Sequence, residues 1–225
     1  MQIRELSIDP NPHHHELNPA LWDRNHLNTE VRHKLLQIAK NFVEYLNMPN
    51  LKLKDVTLSG SSAGYNYSDH SDIDLHLVVN SEELFTAQKI QYNNTYQLKI
   101  KSIPVELYVQ PAGQKHHSAG VYSVLDNKWI VEPPHEEPTV DSKDIKSKAR
   151  SYSGKINSAI RSKDLTKCKH VLEELKRLRK AGLESNGEQS VENLAFKLLR
   201  ARGQIDKLRK YIDKLTSAEL SLEEQ

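Results

Sequence analysis

Two aspartates stand one residue apart at the start of an otherwise apolar segment, "SDIDLHLVV". Side chains alternate across a β-strand, so Asp72, Asp74 and His76 share one face while the apolar residues between them share the other. Two carboxylates on one face repel each other unless a cation lies between them. The segment therefore predicts metal chemistry.

A later segment, "PVELYVQ", repeats the pattern and presents Glu106 and Tyr108 opposite its apolar residues. If the two strands are neighbours, they lie about 4.8 Å apart and three carboxylates surround a volume for one or two hard cations. Mg²⁺ prefers oxygen ligands and is usually shared with substrate phosphates. Two such ions would stabilise the attacking and the departing oxygen of a nucleotidyl displacement.

The stretch "SGSSAG" precedes the aspartates. A glycine at a strand end lets the backbone approach a ligand, and exposed N–H groups with serine hydroxyls can hold phosphate oxygens. We expect Gly60, Ser61 and Ser62 to bind a triphosphate while the acids hold metal.

Each of these interpretations has a plainer alternative. The two aspartates could mark the acidic solvent face of an edge strand, although Asp is disfavoured in strands. Glu106 could be an ordinary exposed acid, and His76 either a phosphate contact or a structural histidine. The acids that could replace Glu106 are Glu82, Glu83 and Glu132.

Other aromatic and histidine residues support either a functional or a structural reading. Tyr65, Tyr67 and His70 lie in the loop before the aspartates. They could stack on a base or be ordinary loop residues, and the sequence favours neither role. A flexible leader is favoured over divalent binding for His13, His14 and His15. The same caution applies to His116 and His117, and core positions are expected for Trp129 and Cys168.

The periodicity predicts an α+β protein. A helix is expected over the apolar stripe of "NTEVRHKLLQIAKNFVEYLN", capped by Asn28 or Thr29. Strands are expected at "KDVTLSG", "DIDLHLVV", "TYQLKIK", "PVELYVQ" and, more weakly, "KWIVE", with a helix at "SEELFTAQKIQY" capped by Ser81. Together they predict a small mixed β-sheet core with flanking helices.

Beyond the proline-rich segment "EPPHEEPTVDS" nothing resembles a strand. Apolar residues at helical spacing predict one helical run that breaks near Ser162–Asp164 and ends by Gly182, and another from Val191 to Leu215. The predicted organisation is an N-terminal leader (1–27), a catalytic core (28–132), a linker (133–142), a basic C-terminal helical domain or hairpin (143–216) and an acidic tail (217–225).

Charge divides along the chain. Residues 1–141 hold 12 Lys and Arg against 18 Asp and Glu, whereas residues 142–216 hold 20 against 9. The basic helices could bind RNA or another nucleic acid, or simply form a solvated face. The cations that would form such a surface are Lys176, Arg177, Arg179, Lys180, Lys197, Arg200, Arg202, Lys207, Arg209 and Lys210.

The single cysteine fits a reducing compartment, and the sequence contains neither a long apolar run nor the layout of a secretory signal. We therefore expect a cytoplasmic protein without a membrane partner.

The combination of Gly60-Ser61, a spacer, Ser71-Asp72-Ile73-Asp74 and the acid in "VELYV" resembles the nucleotidyltransferase superfamily of the DNA polymerase β type. More narrowly, "LNPALWDRNHLNTEVRHKLLQIAKNFVEYL" followed by "SDIDLHLVV" resembles stand-alone nucleotidyltransferases of tailed bacteriophages, which would place the protein in the host cytoplasm.

This resemblance implies a nucleotidyltransferase core and a catalytic and metal-binding triad of Asp72, Asp74 and Glu106. It also implies two Mg²⁺ ions, replaceable by Mn²⁺, and nucleotide phosphates at Gly60 and Ser61. The implied reaction moves a nucleoside monophosphate from an NTP such as ATP to a hydroxyl of RNA, protein or a small molecule, with release of pyrophosphate. The alternative is a catalytically silent nucleotide- or nucleic-acid-binding phage accessory protein.

Overall fold

The computed structural model of the protein describes residue 9 and residues 12–114, 118–135 and 140–221. Apart from Asp9, these residues fall into two compact units. The sheet unit comprises the described residues from 12 to 135, and the helical unit comprises residues 140–221. His116 and His117 lie outside the described residues, as do parts of the predicted leader, linker and tail. The finer domain boundaries stay a prediction.

The sheet unit begins with a two-stranded hairpin, β1 (Trp22–Asp23) and β2 (His26–Leu27). The remaining elements are α1 (Thr29–Leu46), β3 (Leu53–Ser59), β4 (Ile73–Val79), α2 (Thr86–Tyr96), β5 (Lys99–Ile100), β6 (Ile103–Pro111), β7 (Val121–Ser123) and β8 (Lys128–Val131). The last six strands form one sheet in the order β5-β6-β4-β3-β7-β8. Among the strand pairs of this sheet in the described residues, β4 and β6 are the parallel pair and the others are antiparallel. This mixed sheet with flanking helices confirms the predicted fold class.

Helix α1 agrees with its prediction. The Asn28 side chain accepts a hydrogen bond from the Glu30 N–H and caps the helix. Its buried stripe includes Val31, Leu35 and Phe42, which pack into the sheet core. Burial of this stripe fixes the helix on one face of the sheet.

The two faces of the sheet differ in chemistry. Alternate residues of β4 from Ile73 to Val79 are fully buried in the apolar core. The intervening residues, Asp74, His76 and Val78, point to the other face and are half-buried. This second face carries the polar site described below.

Helix α2 begins five residues after the predicted cap, so that prediction is wrong. Ser81 does accept a hydrogen bond from the Glu83 N–H, but no helix follows it. Phe85 is buried with a left-handed φ of 45°, and the helix starts only at Thr86. Anchoring this ring in the core outweighs the local capping pattern.

The edge of β6 is closed partly by backbone and partly by a side chain. Strand β5 pairs with Ile103 and Pro104, and the Leu98 carbonyl accepts from the Val105 N–H at 2.8 Å, so "TYQLKIK" is a strand over just two residues. Further along the edge, the Asn93 side chain of α2 accepts from the Leu107 N–H and donates to the Leu107 carbonyl, both at 3.2 Å. One amide side chain thus satisfies the backbone groups that a neighbouring strand would use.

The helical unit consists of α3 (Ser142–Ser162), α4 (Leu165–Asn186), α5 (Val191–Ala201) and α6 (Gln204–Leu220) around its own apolar core. The described residues here include no strand, as predicted. The break between α3 and α4 lies at the predicted position. The run after Val191 was predicted as one helix, but the chain turns at Gly203, whose φ of 65° is left-handed.

Two parts of the sheet unit were not predicted from the sequence: strand β7 and the core residues that precede α1. Strand β7 is short and fully buried, so it shows no alternation. Upstream of α1, core positions are occupied by Leu17, Leu21, Trp22 and Leu27. In the described residues, no helix is long and apolar enough to cross a membrane.

Candidate metal and nucleotide site

Three predicted carboxylates converge on the polar face of the sheet. Asp72, Asp74 and Glu106 each offer a ligand oxygen, and these atoms lie within 4.8 Å of one another. All three side chains are half-buried. The donor set is all oxygen and all anionic, which suits a hard divalent cation.

Strand register produces this convergence. Parallel pairing of β4 and β6 places Asp74 directly beside Glu106. Asp72 lies immediately before β4, where the chain enters the strand from the loop. The two acid-bearing strands are therefore neighbours, which is the condition that the sequence analysis set for bringing the three acids together.

Gly60 directly follows the last residue of β3 and lies beside these acids, because Ser59 pairs with Asp74 across the sheet. Its φ of 72° favours glycine, and a Cβ there would overlap Asp74 Oδ2 and lie 3.1 Å from Asp74 Cγ. The closest approach between turn and acid thus requires a residue without a side chain.

The serines after Gly60 tie the turn to the acid-bearing strand. They form a short 3₁₀ turn, Ser61–Ala63. The fully buried Ser62 donates its hydroxyl to the Asp72 carbonyl at 2.6 Å, and the Ser61 hydroxyl donates to Ser71 Oγ at 2.9 Å. The Ser62 hydroxyl therefore holds the backbone of Asp72; phosphate binding by this turn stays a prediction.

The N-terminal hairpin supports the same turn. Trp22 Nε1 donates a buried hydrogen bond of 2.9 Å to the Ser62 carbonyl. The Trp22 ring stacks on Trp129 with centroids 4.8 Å apart, which confirms a packing role for Trp129. Sequence analysis missed Trp22, since nothing in a single tryptophan of the leader indicates this contact.

Tyr108 borders the acids on β6. Burial is the largest cause that raises the pKa of its hydroxyl, followed by the negative charges of Asp74 and Glu106. The hydroxyl hydrogen-bonds the Glu106 carboxylate. Tyr108 therefore stays protonated at neutral pH and donates to Glu106, restricting where that carboxylate can point.

One cation and one imidazole lie on Tyr108. The His76 ring stacks on it with centroids 4.9 Å apart, and Lys89 Nζ lies 4.6 Å from the ring centroid. Lys89 belongs to α2, one turn before Asn93, so the helix that closes the β6 edge also brings a positive charge near the acids. Nothing in the sequence singled out Lys89.

The other predicted candidates lie apart from this group or take structural roles. Among the described residues, the cluster of three acids contains none of Glu82, Glu83 and Glu132. His14 stacks on Tyr67 with centroids 3.9 Å apart and contacts the Tyr67 carbonyl. The Tyr65 ring packs against the core.

Comparison with known proteins adds little to this geometry. No protein-family model matches the chain, and no curated protein matches it. A solved structure of a STING-associated CdnE c-di-GMP synthase from Capnocytophaga granulosa is similar over 86% of this chain and 83% of that chain, with 13% identity and a TM-score of 0.22. At these values the similarity assigns neither a fold nor an activity, and the phage resemblance stays a prediction.

Proposed function

We propose that the protein is a Mg²⁺-dependent nucleotidyltransferase that moves a nucleoside monophosphate from an NTP to a hydroxyl acceptor and releases pyrophosphate. The observation that carries this proposal is the meeting of Asp72, Asp74 and Glu106, with ligand oxygens within 4.8 Å, beside the glycine turn at Gly60. An acidic surface strand would account for two acids but not for this convergence.

The residues present fit divalent metal. Three carboxylates supply the hard oxygen ligands that Mg²⁺ or Mn²⁺ takes, and the missing Cβ of Gly60 leaves Asp74 room against the turn. Asp72 and Asp74 would hold both ions, and Glu106 would complete the site of one. When bound, such ions stabilise charge on the attacking and departing oxygens of the displacement.

The chain's own groups would position the reactants. The acceptor oxygen forms a bond to the α-phosphorus while the bond to the oxygen bridging the β-phosphate breaks, and pyrophosphate leaves with that electron pair. Glu106 would accept the acceptor's proton, with its carboxylate oriented by Tyr108. Backbone N–H groups after Gly60 would hold the phosphates.

The direct test incubates the protein with each of the four labelled NTPs, Mg²⁺ or Mn²⁺, and total RNA and protein from a bacterial lysate. Transfer of label and release of pyrophosphate are measured, and products are treated separately with RNase and protease to identify the acceptor. We expect Asp72→Asn, Asp74→Asn and Glu106→Gln each to lower transfer by more than about 100-fold, since even outer-shell metal partners cost 10- to 100-fold.

Two exposed acids provide matched controls. Asp213→Asn and Glu83→Gln remove the same charge from positions outside the cluster and should leave transfer unchanged. Wild-type transfer by Asp72→Asn and Asp74→Asn would contradict the proposal. NTP binding by calorimetry without pyrophosphate release, across all acceptors, would instead support a nucleotide-binding accessory protein.

A further inference from the structure

The basic residues of the helical unit do not form one uniform surface. On α4, Lys176 lies 2.7 Å from Glu173, and Lys180 lies 3.8 Å from Glu184. Arg179 lies over the Phe196 ring, 5.2 Å from its centroid, with its Nε buried. Much of the positive charge on this helix is thus offset by acids or engaged in packing.

Helix α6 differs. Lys207, Lys210 and Lys214 are exposed and line a groove of about 550 Å³. No acidic partner for these three lysines is found among the described residues. The one acid lining the groove, Asp206, lies 3.8 Å from Arg209. The groove therefore keeps a positive charge.

An aromatic ring lies among these lysines. Tyr211 also lines the groove; it is half-buried and packs against the core of the helical unit. Ile160 of α3 also lines the groove and adds an apolar side chain to it. We call this feature the tyrosine groove, lined by Ile160, Gly203, Asp206, Lys207, Lys210, Tyr211 and Lys214.

The spacing of the lysines suits a chain of phosphates. Lys207, Lys210 and Lys214 lie three and four residues apart, on one side of α6, at axial intervals of about 4.5 and 6 Å. A row of cations tracks a polyanion, whereas a single phosphate would need only one or two of them. The row points to a polymer.

We infer that the tyrosine groove binds single-stranded nucleic acid, with phosphates along the three lysines and one base against Tyr211. Non-specific single-strand sites combine a positive groove with an aromatic platform in this way. A duplex keeps its bases stacked inside and cannot offer one to the ring. An acidic peptide would satisfy the lysines but leave the ring without a planar partner.

The test measures fluorescence anisotropy of a labelled single-stranded oligoribonucleotide of about 16 nucleotides. The full chain is titrated in EDTA without NTP, so failure of nucleotidyl transfer would not affect the result. Lys207→Gln, Lys210→Gln and Lys214→Gln together should flatten the dependence of log affinity on log salt by about 2, because each lost phosphate contact removes about 0.7. All three side chains are exposed, so this variant should keep its fold.

A second triple variant matches the charge change. Lys167→Gln, Lys176→Gln and Lys180→Gln remove three lysines of α4 that lie near acids, and the salt dependence should stay as in wild type. Tyr211→Leu should weaken binding about 5- to 150-fold, the range for loss of one stacked base, while Tyr211→Phe should not.

Three outcomes would overturn the inference. The first is an equal loss of salt dependence in the two triple-lysine variants. The second is wild-type affinity of Tyr211→Leu for the oligoribonucleotide, and the third is equally tight binding of a duplex of the same sequence. Circular dichroism of every variant shows whether the helical unit is intact. Should Tyr211→Leu unfold, the lysine comparison and the duplex comparison still decide.

Discussion

In the sheet unit, Asp72, Asp74 and Glu106 bring like charges together, whereas in the helical unit Glu174 and Glu192 each meet a lysine of α3. Lys155 lowers the pKa of Glu174 through a hydrogen bond, and Lys148 does the same for Glu192. Opposite charges joining two helices are compatible with a purely structural role. Converging like charges oppose folding, and three carboxylates this close together could hold a metal cation that offsets the repulsion.

After the loss of a carboxylate itself, the largest effect on transfer is expected from the glycine turn beside the three acids. In Gly60→Ala, the new Cβ would displace Asp74, and we expect transfer to fall about 100-fold, as for misplacement of a catalytic group by about 1 Å. Gly113→Ala is the control, since Gly113 also has a positive φ of 89° but nothing lies within 4 Å of its Cβ. Equal loss in both variants would indicate that backbone strain, not Asp74, is responsible.

Metal should stabilise one unit and not the other. Both tryptophans, Trp22 and Trp129, belong to the sheet unit, so their fluorescence follows that unit alone. At 100 times its Kd, Mg²⁺ or Mn²⁺ should raise the free energy of unfolding by about 2.7 kcal/mol. Without metal, Asp74→Asn should be at least as stable as wild type, because it relieves repulsion.

The metal effect should vanish in Asp74→Asn when thermal unfolding is followed by tryptophan fluorescence. Far-ultraviolet circular dichroism reports mainly on helices, and most helical residues belong to the helical unit. Its unfolding signal therefore serves as the internal control. A metal-induced shift that survives in Asp74→Asn would place the cation elsewhere.

A smaller effect is expected from the hairpin that supports the turn. Trp22→Phe keeps an aromatic ring but removes the hydrogen bond to the buried Ser62 carbonyl, at a cost of about 1 to 3 kcal/mol. We expect transfer to fall more in this variant than in Trp129→Phe, whose Nε1 donates to the exposed Asn25 carbonyl instead. Equal transfer activity of Trp22→Phe and Trp129→Phe, compared at matched stability, would show that the hairpin does not support the site.

The smallest effect concerns the ion pairs of the helical unit. Lys148→Gln should cost less than about 1 kcal/mol, because both partners are partly exposed. The folded pKa of Glu192 is lowered from 4.5, so the pair stabilises above that pH and its contribution is lost as pH falls through the folded value. The difference between Lys148→Gln and wild type should therefore disappear in acid.

Circular dichroism against denaturant at neutral and acid pH measures this difference. Lys146→Gln, an exposed change on the same helix, is the control and should match wild type at both. A difference that persists in acid would show that Lys148 acts through packing of its aliphatic stem and not through Glu192.

Alternation along strands made the site predictable in outline. Asp74 and Glu106 stand among apolar residues at every second position, so their common face could be inferred, and the parallel register of β4 and β6 then confirmed their proximity. The contacts of Trp22 and Lys89 depend on tertiary packing, which leaves no local pattern. Phe85 likewise moved the start of α2 because its burial outweighs a capping signal.

The amide of Asn93 has a consequence for the protein in concentrated solution. By occupying the Leu107 N–H and carbonyl, it denies a second molecule the free main-chain groups on which intermolecular strands assemble. Replacing Asn93 with leucine would expose that template, and self-association through β6 would then compete with native folding.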